Sequence, residues 1–413
     1  MTPAVENDIL QRVRQEGAER FAALGWPTTR LESWRYTNLA PLAKVAWKSA
    51  DSATQVQTPS PFAGRAVLEL VFVNGHYAGR TGDAPIGVRN LAAAGSDALV
   101  ERHLSQQATL DGNAMIALNA SNMVDGAILE IPAGIVVEGF IHLLFIGSGD
   151  GIWSHPRNLI VLGRGAQAAV VESYVGTGAY FTNAVTEIVA GDGAVLDHYR
   201  VQQESLSAHH VGHTAIRQER SSSVTSRSIA LGGSIARVET TVVLGGEGAA
   251  IALDGLFVGS GNQHLDNQTT IDHATPHCDS TELYKGVLDQ NARGVFDGRI
   301  IVRPHAQKTA SKQENRNLLL SESAIVDSKP TLEIHNDDVK CNHGSTIGQI
   351  DQEAFFYLRS RGIGADEARN LLVLAFASEI VDRMKIDAVA EQVRRALFQA
   401  LPDRLPERRG SER

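Results

Sequence analysis

A chain of 413 residues, 43% hydrophobic and 21% charged, has the composition of a globular protein with a real core, which excludes disordered and fibrous classes. The length predicts two or three folding units unless the middle is a repetitive solenoid. A net charge of −9 argues against a nucleic-acid partner, because neutralising phosphates takes clustered Lys and Arg that outweigh the acids.

Leu10, Val13, Phe21 and Leu24 recur at helical spacing and predict an amphipathic helix that Gly25 and Pro27 stop. In the segment that follows, Trp34 and Tyr36 are aromatic anchors of a docking element that completes an N-terminal helical unit, residues 1–65. The polar stretch Ser49 to Pro61 reads as a linker. Residues 66–125 form an α/β lead-in that opens with the run Val67 to Val73. From 126 to 345 short β-branched and aliphatic runs follow one another, separated by glycine turns such as Gly163-Arg-Gly165 and Gly191-Asp-Gly193. Some 200 residues of strand after strand exceed a sandwich and predict a stacked β-solenoid, with a pair of sandwiches as the alternative. Residues 346–413 return to helix: Asp351 to Arg361, Asp366 to Met384, and about Ala388 to Ala400. Leu371 to Ala377 is apolar on nearly every side, so that helix is either a bundle centre or awaits a partner. The arginines near the end (Arg394, Arg395, Arg404, Arg408, Arg409) read as a solvated face and a tail.

No apolar run approaches the roughly 20 residues that span a bilayer, and MTPAVENDIL lacks the basic and apolar regions of a signal peptide. The expectation is a cytoplasmic protein with no membrane partner, in which Cys278 and Cys341 are separate reduced thiols.

The motifs of common catalysts are missing. There is no GxxxxGK[ST], complete GxGxxG, GxSxG, HExxH or CxxC. What remains is Lys340-Cys341-Asn342-His343-Gly344. On an extended strand a thiol and an imidazole two residues apart share a face and could touch one soft metal or sulfur species, with Lys340 favouring the thiolate. From spacing alone, a packed cysteine beside a hydrogen-bonded histidine is the more ordinary reading. His273, His277 and Cys278 form a second cluster, read first as a packed strand corner and only weakly as a metal site. His209, His210 and His213 read as a solvated loop, and Asp254, Asp266 and Asp289 as turn or solvent residues too scattered for a glycosidase pair.

Several motifs in order carry a more specific signal: Thr281-Glu-Leu-Tyr-Lys-Gly-Val-Leu-Asp289, Gly294-Val-Phe-Asp-Gly-Arg-Ile-Ile-Val-Arg-Pro304, Asn315-Arg-Asn-Leu-Leu-Leu320, Lys329-Pro-Thr-Leu-Glu-Ile334, Asp337-Asp-Val-Lys-Cys-Asn-His343 and Phe356-Tyr-Leu-Arg-Ser-Arg-Gly362. This series, dense from Asp272 to Met384, resembles the SufB/SufD family, and Leu31 to Leu39 is similar to its N-terminal segment. Gly344, where SufB chains usually carry Glu, and the shorter chain favour the SufD branch. The resemblance implies a mainly β protein, a right-handed parallel β-helix between N- and C-terminal helical domains. It implies a non-catalytic scaffold subunit for iron–sulfur cluster assembly that pairs with a SufB-like paralogue and docks a SufC-like ABC ATPase, or forms a homodimer when isolated. His343 and Cys341 match interface positions where a transient cluster forms. The helices from Asp351 to Met384 match the ATPase-docking region, with Tyr357, Arg359, Arg361, Leu372 and Phe376 as candidates. A flavin is associated with the family's complex, but no recognisable flavin site is present, and no cofactor is expected to be held stably by this chain alone. The other readings are a β-helix enzyme acting on polysaccharide and a purely structural oligomerisation module.

Overall fold

The computed structural model describes residues 8–51, 58–94 and 97–400. Its centre is a β-solenoid of about eight turns, mainly parallel strands in two sheets that face each other, with helices at both ends. Phe181, His209, Ile235, His264, Arg293 and Ile325 start the strands of successive turns in one sheet and stack directly on one another. In the second sheet Gln167, Val195, Ser223, Ala250, Asp279 and Ala310 stack on one another in register in the same way. Residues of one face therefore form columns along the axis, because register repeats turn after turn. The lead-in strand Leu68–Val73 pairs parallel with Ile141–Ser148 and extends the second sheet.

Side chains alternate between the lumen and an outer face, and both are buried over most of the length. The lumen is filled by aliphatic rows such as Leu129, Ile160, Ile188, Ile216 and Ile271 against Val170, Leu196, Val224 and Ile251. Outside, Leu159, Val185 and Ala215 lie under the helices Asp8–Leu24, Ala98–His103 and Ala114–Asn122. On the other side Val201, Ile229, Leu256, Leu283 and Val287 lie under the helices Ala365–Val381 and Asp387–Ala400. Double burial is why the strands read as nearly continuous apolar runs instead of clean alternation.

One corner of the solenoid repeats a single device. Gly165, Gly193, Ser221, Gly248, His277 and Lys308 all have positive φ. The N–H of each donates to a carbonyl one turn further on, at Asp192, Arg220, Glu247, Pro276, Gln307 and Asp338 respectively. His277 is thus a corner residue in the left-handed region that His tolerates better than most side chains.

Two expectations are corrected here. His209, His210 and His213 lie in the strand His209–Gln218, not a solvated loop: His210 and His213 are buried and half-buried His209 meets the Trp47 ring edge-on. Asp254 and Asp266 are buried ion-pair partners, of Arg227 and Arg383 and of Arg237 respectively, and not solvent carboxylates. Burying these carboxylates is tolerable only because a guanidinium accompanies each one.

The N-terminal docking element behaves as expected. Trp34, in the 3-10 turn Glu32–Trp34, is buried, and the Arg237 guanidinium lies 3.9 Å from its ring centroid while also pairing with Asp266. Thr37 Oγ1 donates to the same Asp266. Residues 52–57 of the linker and 401–413 of the tail, including Arg404, Arg408 and Arg409, lie outside the described residues. Trp34→Ala removes a packed aromatic and uncovers a buried cation, so it is expected to cost about 3–5 kcal/mol, read as a lower denaturation midpoint by far-UV circular dichroism.

Candidate functional site: the terminal rung

The last strand, Val339–Gly348, pairs on one side with Thr309–Leu319 and has no neighbour on its other edge among the described residues. Ile325–Ile334 ends the first sheet in the same way. This rung is far more exposed than the turns below it, with Ile325, Ile334 and Ile347 open to solvent. Such an edge presents unpaired backbone N–H and C=O groups, a ready template for another chain.

Cys341 and His343 both lie on this rung. Cys341 is half-buried and packs with Leu332 and Val339 on Ile300, Val302 and Ala306, which sets its side chain on the lumen face. His343, two residues on, shares that face by strand alternation and is exposed beside a cleft of about 340 Å³. Glu314, Asn315, Arg316, Asn342 and Ser345 also line this cleft. Exposed Lys340 occupies the alternate position, and burial pushes the Cys341 thiol up, against the expectation that Lys340 would favour the thiolate. No three His, Cys, Asp or Glu side chains converge on a metal position among the described residues, so this rung offers two soft donors, not a full ligand set. No Phe, Tyr or Trp ring lines this cleft.

Beneath the two residues run hydrogen-bonded interior files. Ser311 pairs in register with Cys341, and Ser280 with Ser311. The Ser280 and Ser311 hydroxyls are 2.7 Å apart, and His273 Nε2 is 2.9 Å from Ser280. Burial lowers the His273 pKa to about 4. His273 therefore belongs to the file under Cys341, whereas exposed His277 is the corner residue and fully buried Cys278 meets Thr275 and the carbonyls of Gly246 and Pro276. The three do not share a site.

The next column holds Glu282, Gln313 and His343. Gln313 Nε2–H donates to Glu282 Oε2 at 2.7 Å, and burial raises the Glu282 pKa to about 7 against the opposing amide hydrogen bond. Deeper in the lumen, His198 bridges Glu172 and Ser226, while Arg200 meets His210, which pairs with Glu204. Burial alone would raise Glu172, but the hydrogen bond and charge of His198 hold it below the ordinary carboxylate range. Nothing in the sequence pattern marked these columns, because residues about thirty positions apart meet only through register.

The helical side places the remaining candidates differently. On the helix Gln352–Ser360, which buries no residue, Tyr357 and Arg359 are exposed, and Arg361 just beyond it lies over the Tyr357 ring. Phe356 is 72% exposed. Leu372 and Phe376 are half-buried, and Phe376 faces the solenoid, where Lys285 Nζ sits 4.2 Å from its ring centroid and donates to its carbonyl.

Comparison with known proteins places the chain in a family. Residues 3–143 match the SufBD protein N-terminal region, and residues 145–376 match the SufBD core domain of the SUF iron–sulfur cluster assembly system. The chain belongs to the SufBD family. It is 34% identical to the iron–sulfur cluster assembly SufBD family protein slr0076 of Synechocystis, over 96% of this chain and 92% of that protein. It is 31% identical to the iron–sulfur cluster assembly protein SufD of Escherichia coli, over 94% and 92%, and 30% identical to the chloroplastic protein ABCI7 of Arabidopsis thaliana, over 93% and 85%. No helix of the described residues is long and apolar enough to cross a membrane.

Because Glu282 binds its proton more tightly folded than unfolded, its contribution to stability is fully present below pH 4.5 and lost as pH rises through about 7. Against Glu282→Gln, the wild type is expected to lose on the order of 3 kcal/mol across that window, measured as urea midpoints over a pH series.

Proposed function

We propose that the chain is a SufD-type scaffold of the cytoplasm that supplies half of an interface for nascent iron–sulfur clusters and has no turnover of its own. The observation that carries this reading is the placement of Cys341 and His343 on an open terminal rung. Two donors on the lumen face leave a metal or cluster cargo incompletely coordinated, so a second protein must complete the set. The unpaired strand edges beside them give that protein main-chain groups to pair with. A SufB-like paralogue of the same architecture fits that edge, and a second copy of this chain is the homodimeric counterpart.

A second surface suits the ATPase. The helix Gln352–Ser360 presents Phe356 and Tyr357 outward, flanked by Arg359 and Arg361, an arrangement of aromatic and arginine anchors that interfaces favour. Phe376 supports this surface from below by tying the following helix to the solenoid, and half-buried Leu372 lies on the same helix.

In anaerobic reconstitution of the co-expressed complex with iron and sulfide, Cys341→Ala and His343→Ala are each expected to slow cluster formation at least tenfold while the complex stays intact. Wild-type rates in both would leave the rung a purely structural contact. Phe356→Asp with Tyr357→Asp is expected to abolish co-purification of a SufC-like ATPase with an unchanged circular dichroism spectrum. Retained binding would move the docking surface elsewhere.

A further inference from the structure

Three of the lumen-facing columns under the terminal rung end in a polar side chain, and they are not closed in the same way. Ser345 stands over Asn315 in register, and Ser328 Oγ bridges them, 2.8 Å from Ser345 Oγ and 2.7 Å from Asn315 Oδ1. Cys341 stands over Ser311, which is already bonded to Ser280. His343 stands over Gln313, and here a fully buried acceptor, Gln313 Oε1, has no partner among the described residues.

The orientation of that amide is forced from below. Gln313 Nε2 lies 2.7 Å from Glu282 Oε2, and above about pH 7, where Glu282 is ionised, its carboxylate accepts only from the NH₂ side, so the carbonyl oxygen is the free end. Gly298 on the facing sheet makes room for the amide: a Cβ there would lie 2.4 Å from Gln313 Nε2. A buried carbonyl without a donor costs free energy, and the next side chain along its column is an imidazole with an N–H to give.

We propose that Gln313, locked by Glu282, is a positioning residue for His343: its Oε1 accepts the imidazole Nδ1–H and so leaves the Nε2 lone pair facing the open rung. Adjacent rungs are about 4.8 Å apart, within the reach of side chains that share one column. Ligating histidines commonly take this arrangement, in which the second ring nitrogen donates to an oxygen that fixes tautomer and ring plane. The purpose of the arrangement rests on reading His343 as a donor to the cargo; its existence does not.

The test reads the tautomer directly in the full chain, without metal. With ¹⁵N-histidine labelling, at a pH about two units above the ordinary histidine value, His343 is expected to populate mainly the Nδ1–H form, the reverse of free imidazole side chains. Gln313→Leu is expected to return it to the Nε2–H form, at least a threefold change in tautomer ratio. The buried His198 resonances report whether the interior is intact. If Gln313→Leu disturbs His198, Glu282→Gln decides: a neutral amide below Gln313 permits both of its orientations, so a mixed tautomer is expected. A wild-type His343 with the free-imidazole ratio, or a ratio unmoved in the variant whose His198 is unchanged, overturns the proposal. If the tautomer responds but His343→Ala assembles clusters normally, the positioning stands and the reading of His343 as a donor to the cargo fails.

Discussion

Everything in this molecule depends on parallel register repeated turn after turn. Each strand satisfies its backbone groups on the strands one turn before and after, so side chains from positions far apart in the chain stack into columns. That arrangement links interior polar groups in series: Glu172 with His198 and Ser226, His273 with Ser280 and Ser311, Glu282 with Gln313. It also has an unavoidable consequence at its end. Among the described residues the last turn has no successor, so its strand edges are left open and the column of Gln313 ends without a donor.

The cover of the solenoid decides where that opening matters. Helices from the N-terminal side protect the outer face of the first sheet, and helices from the C-terminal side protect the second. Ion pairs fasten the latter: Arg383 with Asp254, Lys385 with Asp197, and Lys285 with Glu379. The terminal rung receives no such cover, and it is where the chain places a thiol and an imidazole on one face. A closed core that ends in an uncovered, donor-bearing edge is suited to completing a site with a second protein.

The lumen beneath that edge is polar where a solenoid could have been aliphatic throughout. Carboxylates and guanidinium groups are buried there at a desolvation cost that their hydrogen bonds offset only while each partner is present. Such a column transmits geometry: an amide held by a carboxylate one turn down sets what the next rung meets. In this view the interior files hold the rung's side chains in order, and His343 inherits an orientation from a residue, Glu282, that lies two turns beneath it.

Much of this was legible in the residues. Short β-branched and aliphatic runs and glycine turns gave the strands, apolar periodicity gave the helices, and the shared face of Cys341 and His343 follows from a period of two. Trp34 was readable as an anchor because a large aromatic in a polar segment has few uses besides docking. What the sequence could not reveal is which distant residues meet. His273 looked like a partner of His277 and Cys278 because they are close in the chain, yet it reaches across the lumen to Ser280 on the facing sheet and so joins the file under Cys341. His209 to His213 looked solvated because three imidazoles are polar, yet the strand buries two of them against carboxylates. The sequence by itself determined the elements, the family and the candidate pair, since local periodicity and ordered motifs are written along the chain. Only the tertiary structure decided the neighbours of that pair, because stacking brings together residues about thirty positions apart.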